Sequence, residues 1–379
     1  MFRRSVLAMF AAIATAFAIL SVMTLPGPAS AITPSQTAVT SITVETGPSS
    51  VAVSPDGSSV WVTNFNSATV SRINTATNAV TSITVGTGPS SVAVSPDGSS
   101  VWVTNFNSDT VSRINTATNA VTSITVGTGP SSVAVSPDGS SVWVAVTNQN
   151  GVAVVSRINT TTEAVTSITV GFYPSSVVVS PDGSSVWVTN LIDVSRIDTT
   201  TDAVTSITVG TYPFIVAVSP DGSSVWVTNK GSDTVSRINT ATNTVTSITV
   251  GNGPSSVAVS PDGSSVWVTN QGSGTVSRII FPPQPPANVT ATLGNAQATI
   301  SWTAPTNTGG SPITGYTATA SAGGQSCTTT TATSCTISGL TNGTTYDISV
   351  TATNAVGVSD PSVVAVTPTS DLVAPAFTG

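Results

Sequence analysis

The stretch SSVAVSPDGSSVWVTN, at residues 49–64, recurs through most of the chain. Its SPDG segment starts at Ser54, Ser95, Ser136, Ser180, Ser219 and Ser260, with spacings of 41, 41, 44, 39 and 41 residues. A period of about 40 residues is typical of an array of small units, none of which can bury its apolar faces alone. The recurrence therefore predicts a repeat protein.

Each repeat contains four short runs that predict β-strands. We name them strand a (SVAV, 91–94), strand b (SVWVTN, 100–105), strand c (TVSRI, 110–114) and strand d (AVTSITV, 79–85). The runs are rich in Val, Ile, Thr and Trp and are bounded by Gly, Pro, Asn, Ser or Asp. In the SPDG turn, Pro suits the second position and Gly accepts a positive φ, so strands a and b should form a hairpin. Four antiparallel strands at this period predict the blade of a β-propeller.

The number of strands predicts how the ring closes. Strands a, b and c occur six times, but the sixth repeat ends at the PPQPP segment without a strand d. A strand d sequence, TAVTSITV at 37–44, precedes the first repeat instead. We expect it to complete the last blade and to close a six-bladed ring over residues 37–280, because closure removes the open sheet edge.

The repeat motifs resemble those of the bacterial and archaeal YVTN-type propeller family, whose blades carry G-x-x-P, VAVSPDG and YVTN segments. Here the last motif reads WVTN, at Trp61, Trp102, Trp187, Trp226 and Trp267, and the third copy departs from it with WVAVTN from Trp143. The resemblance covers residues 37–280 and implies the propeller fold. The fold is also similar to that of lactonases and antibiotic-ring lyases, but we recognise no counterpart of their site residues, so their activity is not carried over.

The first 31 residues predict a secretory signal peptide. Arg3 and Arg4 precede a long apolar run, and Ala29-Ser30-Ala31 offers a cleavage site between small residues. An ordinary secretory signal is favoured over a twin-arginine one. No other apolar run is long enough to cross a membrane. We therefore expect a mature chain that is secreted or held at the cell surface.

A second domain is predicted after a Pro-rich linker, FPPQPPA at 281–287, and a tail is expected at 371–379. Seven short runs between 288 and 370 predict an immunoglobulin-like sandwich. They resemble a fibronectin type III domain in Trp302, Tyr316 and the LTNGTTY segment at 340–346. The resemblance implies that the Tyr346 hydroxyl bonds back to the backbone. The predicted fold is thus all-β: a six-bladed propeller joined to a fibronectin type III β-sandwich.

The two cysteines, Cys327 and Cys335, both lie in this second domain. In an exported chain such a pair predicts a disulfide. The alternative is a metal site with two cysteine ligands, which is disfavoured because the chain has no histidine and no other cysteine.

Composition excludes several function classes. The absence of histidine removes Ser-His-Asp and Cys-His catalysis. Loss of Arg3 and Arg4 with the signal changes the formal net charge from −7 to −9, which disfavours binding to nucleic acid. No cofactor is predicted, and no catalytic residue is nominated.

The charged residues are mostly expected to be structural. One Asp recurs in each SPDG turn and one Arg in each VSRI segment, and we expect each Arg to pair with an Asp of its own or a neighbouring blade. The remaining acids, such as Asp202 and Glu163, are expected to be solvated loop residues. A glycosidase needs two carboxylates at a fixed separation, and no such pair can be nominated.

Comparison of the six copies shows where the sequence varies. The a–b turn and the c–d loop are nearly constant, whereas the b–c and d–a loops differ. These two variable loops share one rim of a propeller. The candidate ligand-binding residues on that rim are Phe65, Phe106, Asn148, Asn150, Phe172, Tyr173, Tyr212, Phe214 and Lys230. Aromatic rings on polar loops suit a sugar or a partner protein. The alternative is drift after duplication, with the aromatic residues plugging the channel mouth.

These patterns predict a secreted or cell-surface protein that binds an extracellular protein or glycan without catalysis. A second possibility is an accessory or catalytic component of extracellular polysaccharide degradation, because fibronectin type III modules often accompany such enzymes. A third is a structural protein of an envelope layer.

Overall fold

The computed structural model describes residues 39–147 and 153–370, and every regular element in these residues is a β-strand. The repeats form six antiparallel sheets, five with four strands and one with three. Strands follow one another across each sheet in chain order, so each sheet is a meander. This is the predicted architecture of propeller-type blades.

The strand bounds repeat from sheet to sheet. The first sheet holds β1 (Pro48–Val53), β2 (Ser59–Asn64), β3 (Thr69–Asn74) and β4 (Val80–Thr84). The second holds β5 (Pro89–Val94), β6 (Ser100–Asn105), β7 (Thr110–Asn115) and β8 (Val121–Thr125). The third holds β9 (Pro130–Val135), β10 (Ser141–Thr147), β11 (Ala153–Asn159) and β12 (Val165–Thr169). The fourth holds β13 (Ser176–Val179), β14 (Ser185–Thr189), β15 (Asp193–Asp198) and β16 (Val204–Thr208). The fifth holds β17 (Pro213–Val218), β18 (Ser224–Asn229), β19 (Thr234–Asn239) and β20 (Val245–Thr249), and the sixth β21 (Pro254–Val259), β22 (Ser265–Asn270) and β23 (Thr275–Ile280).

The SPDG turn forms the predicted hairpin. In the second sheet, Gly98 has a φ of +71° and its amide donates to the Ser95 carbonyl at 2.8 Å. Asp97 Oδ1 accepts hydrogen bonds from the Ser95 hydroxyl at 2.5 Å and from the Ser99 amide at 3.0 Å. The aspartate therefore holds its own turn together, as the turn chemistry requires.

Consecutive sheets pack face to face through one recurring contact. In the first four sheets the strand b tryptophan lies against valines of the next sheet, so that Trp61 clusters with Val92, Val101 and Val103. The same cluster forms around Trp102, Trp143 and Trp187. These interfaces bury the apolar faces that a single repeat would leave in water.

Four of the repeated arginines, at positions 72, 113, 157 and 196, join neighbouring sheets. In all six repeats the guanidinium carbon lies 5.0–5.5 Å from the ring centroid of the tryptophan in the same sheet. Arg72 Nη1 then donates to the Thr116 carbonyl at 2.6 Å and to Asn119 Oδ1 at 3.2 Å, both in the c–d loop of the next sheet. Arg72 therefore covers its tryptophan and fastens the following sheet.

At Arg157 the expected pairing with a turn aspartate is wrong: Nη1 lies 2.7 Å from Oδ1 of Asp202, an aspartate of the next c–d loop. At Arg113 the acid is Glu163, at 3.4 Å, and at Arg72 and Arg196 the side-chain acceptor is an asparagine of the same loop position. Asp202 and Glu163 are thus not simply solvated, as we expected them to be. The acceptor lies in the next c–d loop because the turn aspartate is already bonded within its own turn.

We expect Arg157→Met to lower the free energy of unfolding by about 1–2 kcal/mol, because it removes both the contact with Trp143 and a charged hydrogen bond. Asp202→Asn is the matched control: it keeps an acceptor at the same position and should cost less than about 1 kcal/mol. Urea denaturation of the three proteins measures both values. Equal midpoints for Arg157→Met and the parent chain would contradict this role.

The expected closing strand is not observed. Residues 39–44 form no strand, and β21–β23 receive no fourth strand from the described residues; positions 37 and 38 lie outside them. A physical reason lies at Glu45, which stands where the fifth sheet has Gly210. A Cβ at Gly210 would come within 2.6 Å of Asn229 Cγ, so a larger residue on the same path would force this side chain to shift. Closure of the ring remains a prediction.

The fibronectin type III prediction is met by two sheets with seven strands. One sheet holds β24 (Ala287–Gly294), β25 (Gln297–Thr303) and β28 (Ser334–Ser338), and the other β26 (Ile313–Ala320), β27 (Ser326–Thr329), β29 (Tyr346–Asn354) and β30 (Ser362–Val366). Trp302 packs against Tyr316 in the core, with ring centroids 5.4 Å apart. The Thr341 amide donates to the Tyr346 hydroxyl at 3.0 Å, which confirms the predicted corner.

The predicted disulfide between Cys327 and Cys335 is present. It joins β27 to β28, which belong to different sheets, and therefore staples the sandwich along one side. The predicted linker is also tied down: the Phe281 amide donates to the Gly309 carbonyl at 2.7 Å, and Asn354 Nδ2 donates to the Phe281 carbonyl at 2.8 Å.

The described chain divides into two compact units, residues 39–257 with 268–277 and residues 258–267 with 278–370. The division passes through the sixth sheet. Among the described residues, no helix is long and apolar enough to cross a membrane.

Candidate functional site

The two variable loops of each repeat lie side by side, as the sequence comparison required. In the fourth repeat the Leu191 amide of the b–c loop donates to the Phe172 carbonyl of the d–a loop at 2.7 Å. In the fifth repeat the Lys230 amide donates in the same way to the Tyr212 carbonyl at 2.9 Å. Each pair of loops therefore forms one surface, which we call the variable rim.

Three of the candidate aromatic residues are exposed on this rim. Phe172 is 58% exposed, Tyr173 60% and Tyr212 43%. They belong to the d–a loops that lead into the fourth and fifth sheets, which are neighbours in the stack. The two sheets are also joined beneath these loops, because the Ser175 hydroxyl donates to the Phe214 carbonyl at 3.0 Å.

Both tyrosines adopt a left-handed backbone conformation. Tyr173 has a φ of +53° and Tyr212 a φ of +60°. The other four d–a loops place glycine at this position, as Gly47, Gly88, Gly129 and Gly253, with φ between +63° and +72°. Glycine adopts this conformation without steric cost, whereas an aromatic residue is strained in it by about 1 kcal/mol or more. Two loops thus retain a strained backbone where their sister loops are relaxed, and both carry an exposed ring.

The other candidates do not join this exposed group. Phe214 is 3% exposed, which corrects our expectation of an exposed ring. It replaces a serine at the start of strand a, where the side chain enters the packed interior. Phe65 and Phe106 are only partly buried, and Asn148 and Asn150 lie outside the described residues.

Lys230 is held against the buried ring of Phe214. Its Nζ lies 5.4 Å from the ring centroid and donates to Gln271 Oε1 at 3.4 Å. The ammonium group is therefore fixed by a cation–π contact, and its position on the rim is set by Phe214. Sequence reasoning grouped these two residues correctly but placed both in a ligand surface.

An exposed isoleucine extends the aromatic group and was missed from the sequence. Ile192 is 66% exposed in the shortened b–c loop of the fourth repeat, next to Leu191, whose amide bonds to Phe172. The shortening itself was visible in the sequence. An isoleucine within this short polar loop was the signal that could have identified the exposed apolar side chain.

A buried asparagine at the end of strand b supports the rim in five repeats. In the second sheet Asn105 Nδ2 donates to Thr110 Oγ1 at 3.0 Å and to Ser112 Oγ at 2.9 Å. The third sheet replaces this asparagine and the threonine before it by Val146 and Ala145, both almost fully buried. The residues beneath the variable loops are therefore polar in five repeats and apolar in the third.

The six turn aspartates are held in their charged form. The hydroxyl of Ser54, the amide of Ser58 and their equivalents lower the pKa of Asp56 and Asp97 to about 2. The same donors, the serine hydroxyl first, lower the pKa of Asp138, Asp182 and Asp262. Burial has the largest influence at Asp221 and opposes the shift, yet the pKa there is still lowered by the hydrogen bonds. Within the described residues, no group of three or more His, Cys, Asp or Glu side chains could hold a metal ion.

Comparison with known proteins gives two family matches. Residues 34–205 match the model of the virginiamycin B lyase family, and residues 283–367 match the fibronectin type III domain. The repeats are thus similar to a propeller-type family, and the second domain is confirmed as fibronectin type III. No curated protein matches the sequence.

Two solved structures illustrate the likeness of fold. A functionally unknown protein from Desulfotomaculum acetoxidans is 16% identical, with a TM-score of 0.50, and the match covers 81% of this chain and 98% of that one. The hydrazine synthase of Kuenenia stuttgartiensis is 21% identical, with a TM-score of 0.39, over 65% of this chain and 98% of that one. At these identities the first likeness supports the fold alone, and the second supports no conclusion.

Proposed function

We propose that the protein is a secreted or cell-surface binding protein whose variable rim binds an extracellular glycan through Phe172, Tyr173 and Tyr212. One observation carries the proposal: two tyrosines keep a left-handed backbone where sister loops have glycine, and both rings face solvent. Strain of this kind persists where the surrounding structure imposes it, and it clusters at binding sites. The disulfide is compatible with an extracellular location.

The chemistry of the rim favours a sugar as the ligand. The C–H faces of a sugar ring stack on exposed aromatic rings, which contribute a large contact area with few rotatable bonds. Charged residues make up only 7% of the chain, so a strongly charged ligand has little to pair with. A polysaccharide ligand would also fit the second possibility raised from the sequence, an accessory component of extracellular polysaccharide degradation.

A lyase activity is the second candidate, and the family match over residues 34–205 favours it. Elimination needs a general base whose pKa lies near the working pH. The chain has no histidine, and the turn aspartates have lowered pKa values, which makes their carboxylates weak bases. Binding is therefore the better supported function.

The double variant Tyr173→Gly/Tyr212→Gly separates binding from folding. We expect the affinity for a glycan identified on an array to fall roughly 100-fold, which corresponds to about 2.7 kcal/mol. The free energy of unfolding should rise by up to about 1 kcal/mol per site, because the relief of backbone strain exceeds the cost in chain entropy. Calorimetric titration and urea denaturation measure the two effects.

Thr87→Ala is the matched control. Thr87 is exposed in the d–a loop of the second repeat, at the position that Phe172 takes in the fourth. This change should leave affinity and stability unaltered. Unchanged glycan affinity in the double variant would show that the site lies elsewhere. A folded parent chain that binds no glycan but captures one envelope protein through the same tyrosines would replace the sugar by a protein ligand.

A further inference from the structure

Lys230 is the only lysine of the chain, and it lies beside the exposed aromatic residues of the variable rim. Its amide donates to the Tyr212 carbonyl at 2.9 Å, and the Gly231 amide donates to the Thr211 carbonyl at 2.9 Å. The two loops of the fifth repeat are therefore paired at two successive positions, which sets Lys230 next to Tyr212. A ligand that packs on the exposed Tyr212 ring thus lies close to a cationic side chain.

Lys230 is also the only cation of the variable rim within the part of the chain that the structure describes. Of the nine Lys and Arg residues, two are Arg3 and Arg4, and six are the strand c arginines. These six lie over the strand b tryptophans, near the opposite rim. Those at positions 72, 113, 196 and 237 also donate to the serine that follows the a–b turn. A ligand on the variable rim therefore meets one positive charge.

The ammonium group of Lys230 is held in place but is not neutralised. Its Nζ lies 5.4 Å from the Phe214 ring centroid, and it donates to Gln271 Oε1 at 3.4 Å. Both contacts are with neutral groups, and no acid within residues 39–147 and 153–370 lies within ion-pair distance of this nitrogen. An ammonium group has three N–H donors, so one long hydrogen bond leaves donors for a ligand.

The acids of the neighbouring loops are already engaged in local hydrogen bonds. Asp233, three positions after Lys230, accepts a hydrogen bond from the Gly253 amide at 2.8 Å. Asp193, in the fourth repeat, accepts one from Asn190 Nδ2 at 2.8 Å. These carboxylates hold their own loops, so the charge of Lys230 is left for a carboxylate that comes from outside the chain.

We infer that Lys230 selects a glycan that carries a uronic acid, by pairing with its carboxylate while the sugar packs on Tyr212. The inference rests on the proposed binding of a glycan by the variable rim. The cation–π contact fixes the ammonium group before the ligand arrives, so little side-chain freedom is lost on binding. Lys230 is partly buried, and a charge pair at such a position is screened less than one in open solvent.

The balance of charge limits the ligand to few carboxylates. The formal net charge of the chain is −7, which repels a polyanion in which every sugar is acidic. One ammonium group on the rim pairs with one carboxylate. We therefore expect the ligand to be a largely neutral chain of sugars that carries isolated uronic acid residues.

An array of neutral and uronic acid-containing oligosaccharides tests the inference, with each acidic one printed both as the free acid and as its methyl ester. Esterification removes the negative charge and leaves unchanged the sugar ring that packs on tyrosine. We expect the free acids to bind about tenfold more tightly than their esters, which corresponds to about 1.4 kcal/mol. Rising salt concentration should reduce this preference, because ions screen a partly exposed charge pair.

Variants at two positions assign the preference to Lys230. Lys230→Met keeps an unbranched side chain over Phe214 but removes the charge, so it should bind acid and ester equally, with unchanged affinity for the ester. Gln271→Glu places a carboxylate beside the same ammonium group and should remove the preference in the same way. Lys230→Arg is the matched control, because it retains the charge, and it should keep most of the preference. Calorimetric titration of each variant with the best-bound acid and its ester measures these ratios.

The outcomes separate this inference from the proposed function. Equal binding of acid and ester by the parent chain, lost in Tyr173→Gly/Tyr212→Gly, would overturn the role of Lys230 and leave glycan binding intact. A preference for the acid that persists in both Lys230→Met and Gln271→Glu would also overturn it. Binding of no oligosaccharide on the array would contradict the proposed function and, with it, this inference.

Discussion

Trp102→Ala is expected to lower the free energy of unfolding by about 4 kcal/mol, because it empties a fully packed position between two sheets. The side chain is 1% exposed and lies in the cluster between the second and third sheets. Removing it leaves a cavity against Val133, Val142 and Val144, and it also removes the ring that Arg113 covers at 5.3 Å. Both losses fall on one interface between blades.

The chain supplies its own control for this change. Trp267 occupies the same position of the same motif, but it is 45% exposed. Trp267→Ala should therefore cost only about 1 kcal/mol, since much of its apolar surface is already in water. Urea denaturation at a concentration where both variants are monomeric measures the difference. Equal losses would show that Trp267 is buried in solution, by the same chain or by a partner.

Acid should destabilise the folded chain as the turn aspartates become protonated. The six turn aspartates have pKa values below the ordinary value near 3.8, and those of Asp56 and Asp97 lie at about 2. A carboxyl with a depressed folded pKa stabilises the fold above its unfolded pKa, and that stabilisation is lost as the pH falls through the folded value. The melting temperature should therefore decrease steadily from about pH 5 to pH 2. The six turns should contribute to this decrease together, each by a small amount because the carboxyls are exposed to solvent.

Between pH 6 and pH 8 the melting temperature should stay nearly constant, because the chain has no histidine to titrate there. Asp97→Asn provides the control, since it removes one of six equivalent carboxyls and should reduce the acid dependence by a small, measurable part. Scanning calorimetry across this range checks both statements. A melting temperature that does not change between pH 5 and pH 2.5 would contradict the assignment of the low pKa values to the turns.

Much of the fold follows from local chemistry and could be predicted. The strands, the SPDG hairpin and the seven strands of the second domain depend on residues close together in the chain, and the structure contains them. The Cys327–Cys335 disulfide was predictable because no other pairing exists. The side-by-side placement of the variable loops followed from the meander order alone.

The candidate site was predicted only in part. Exposure of Phe172, Tyr173 and Tyr212 agrees with the prediction, whereas Phe214 is buried. Phe214 looks like Tyr212 in the sequence, since both are aromatic residues beside Pro213. Tyr212 lies in the d–a loop, before the strand begins. Phe214 lies two positions later, within strand a, at a position whose side chain points into the packed interior.

The sequence alone determined the repeat unit, its strands and turns, and the identity of the second domain, because each depends on short-range residue patterns. Tertiary structure alone decided which residues each arginine reaches, since the partners of Arg72 lie 44 to 47 positions away in the next sheet. It also decided that Val53 and Trp267 are exposed while identical residues in the same motif are buried. Burial of a repeated face depends on whether a neighbouring sheet covers it, and no motif within one repeat carries that information.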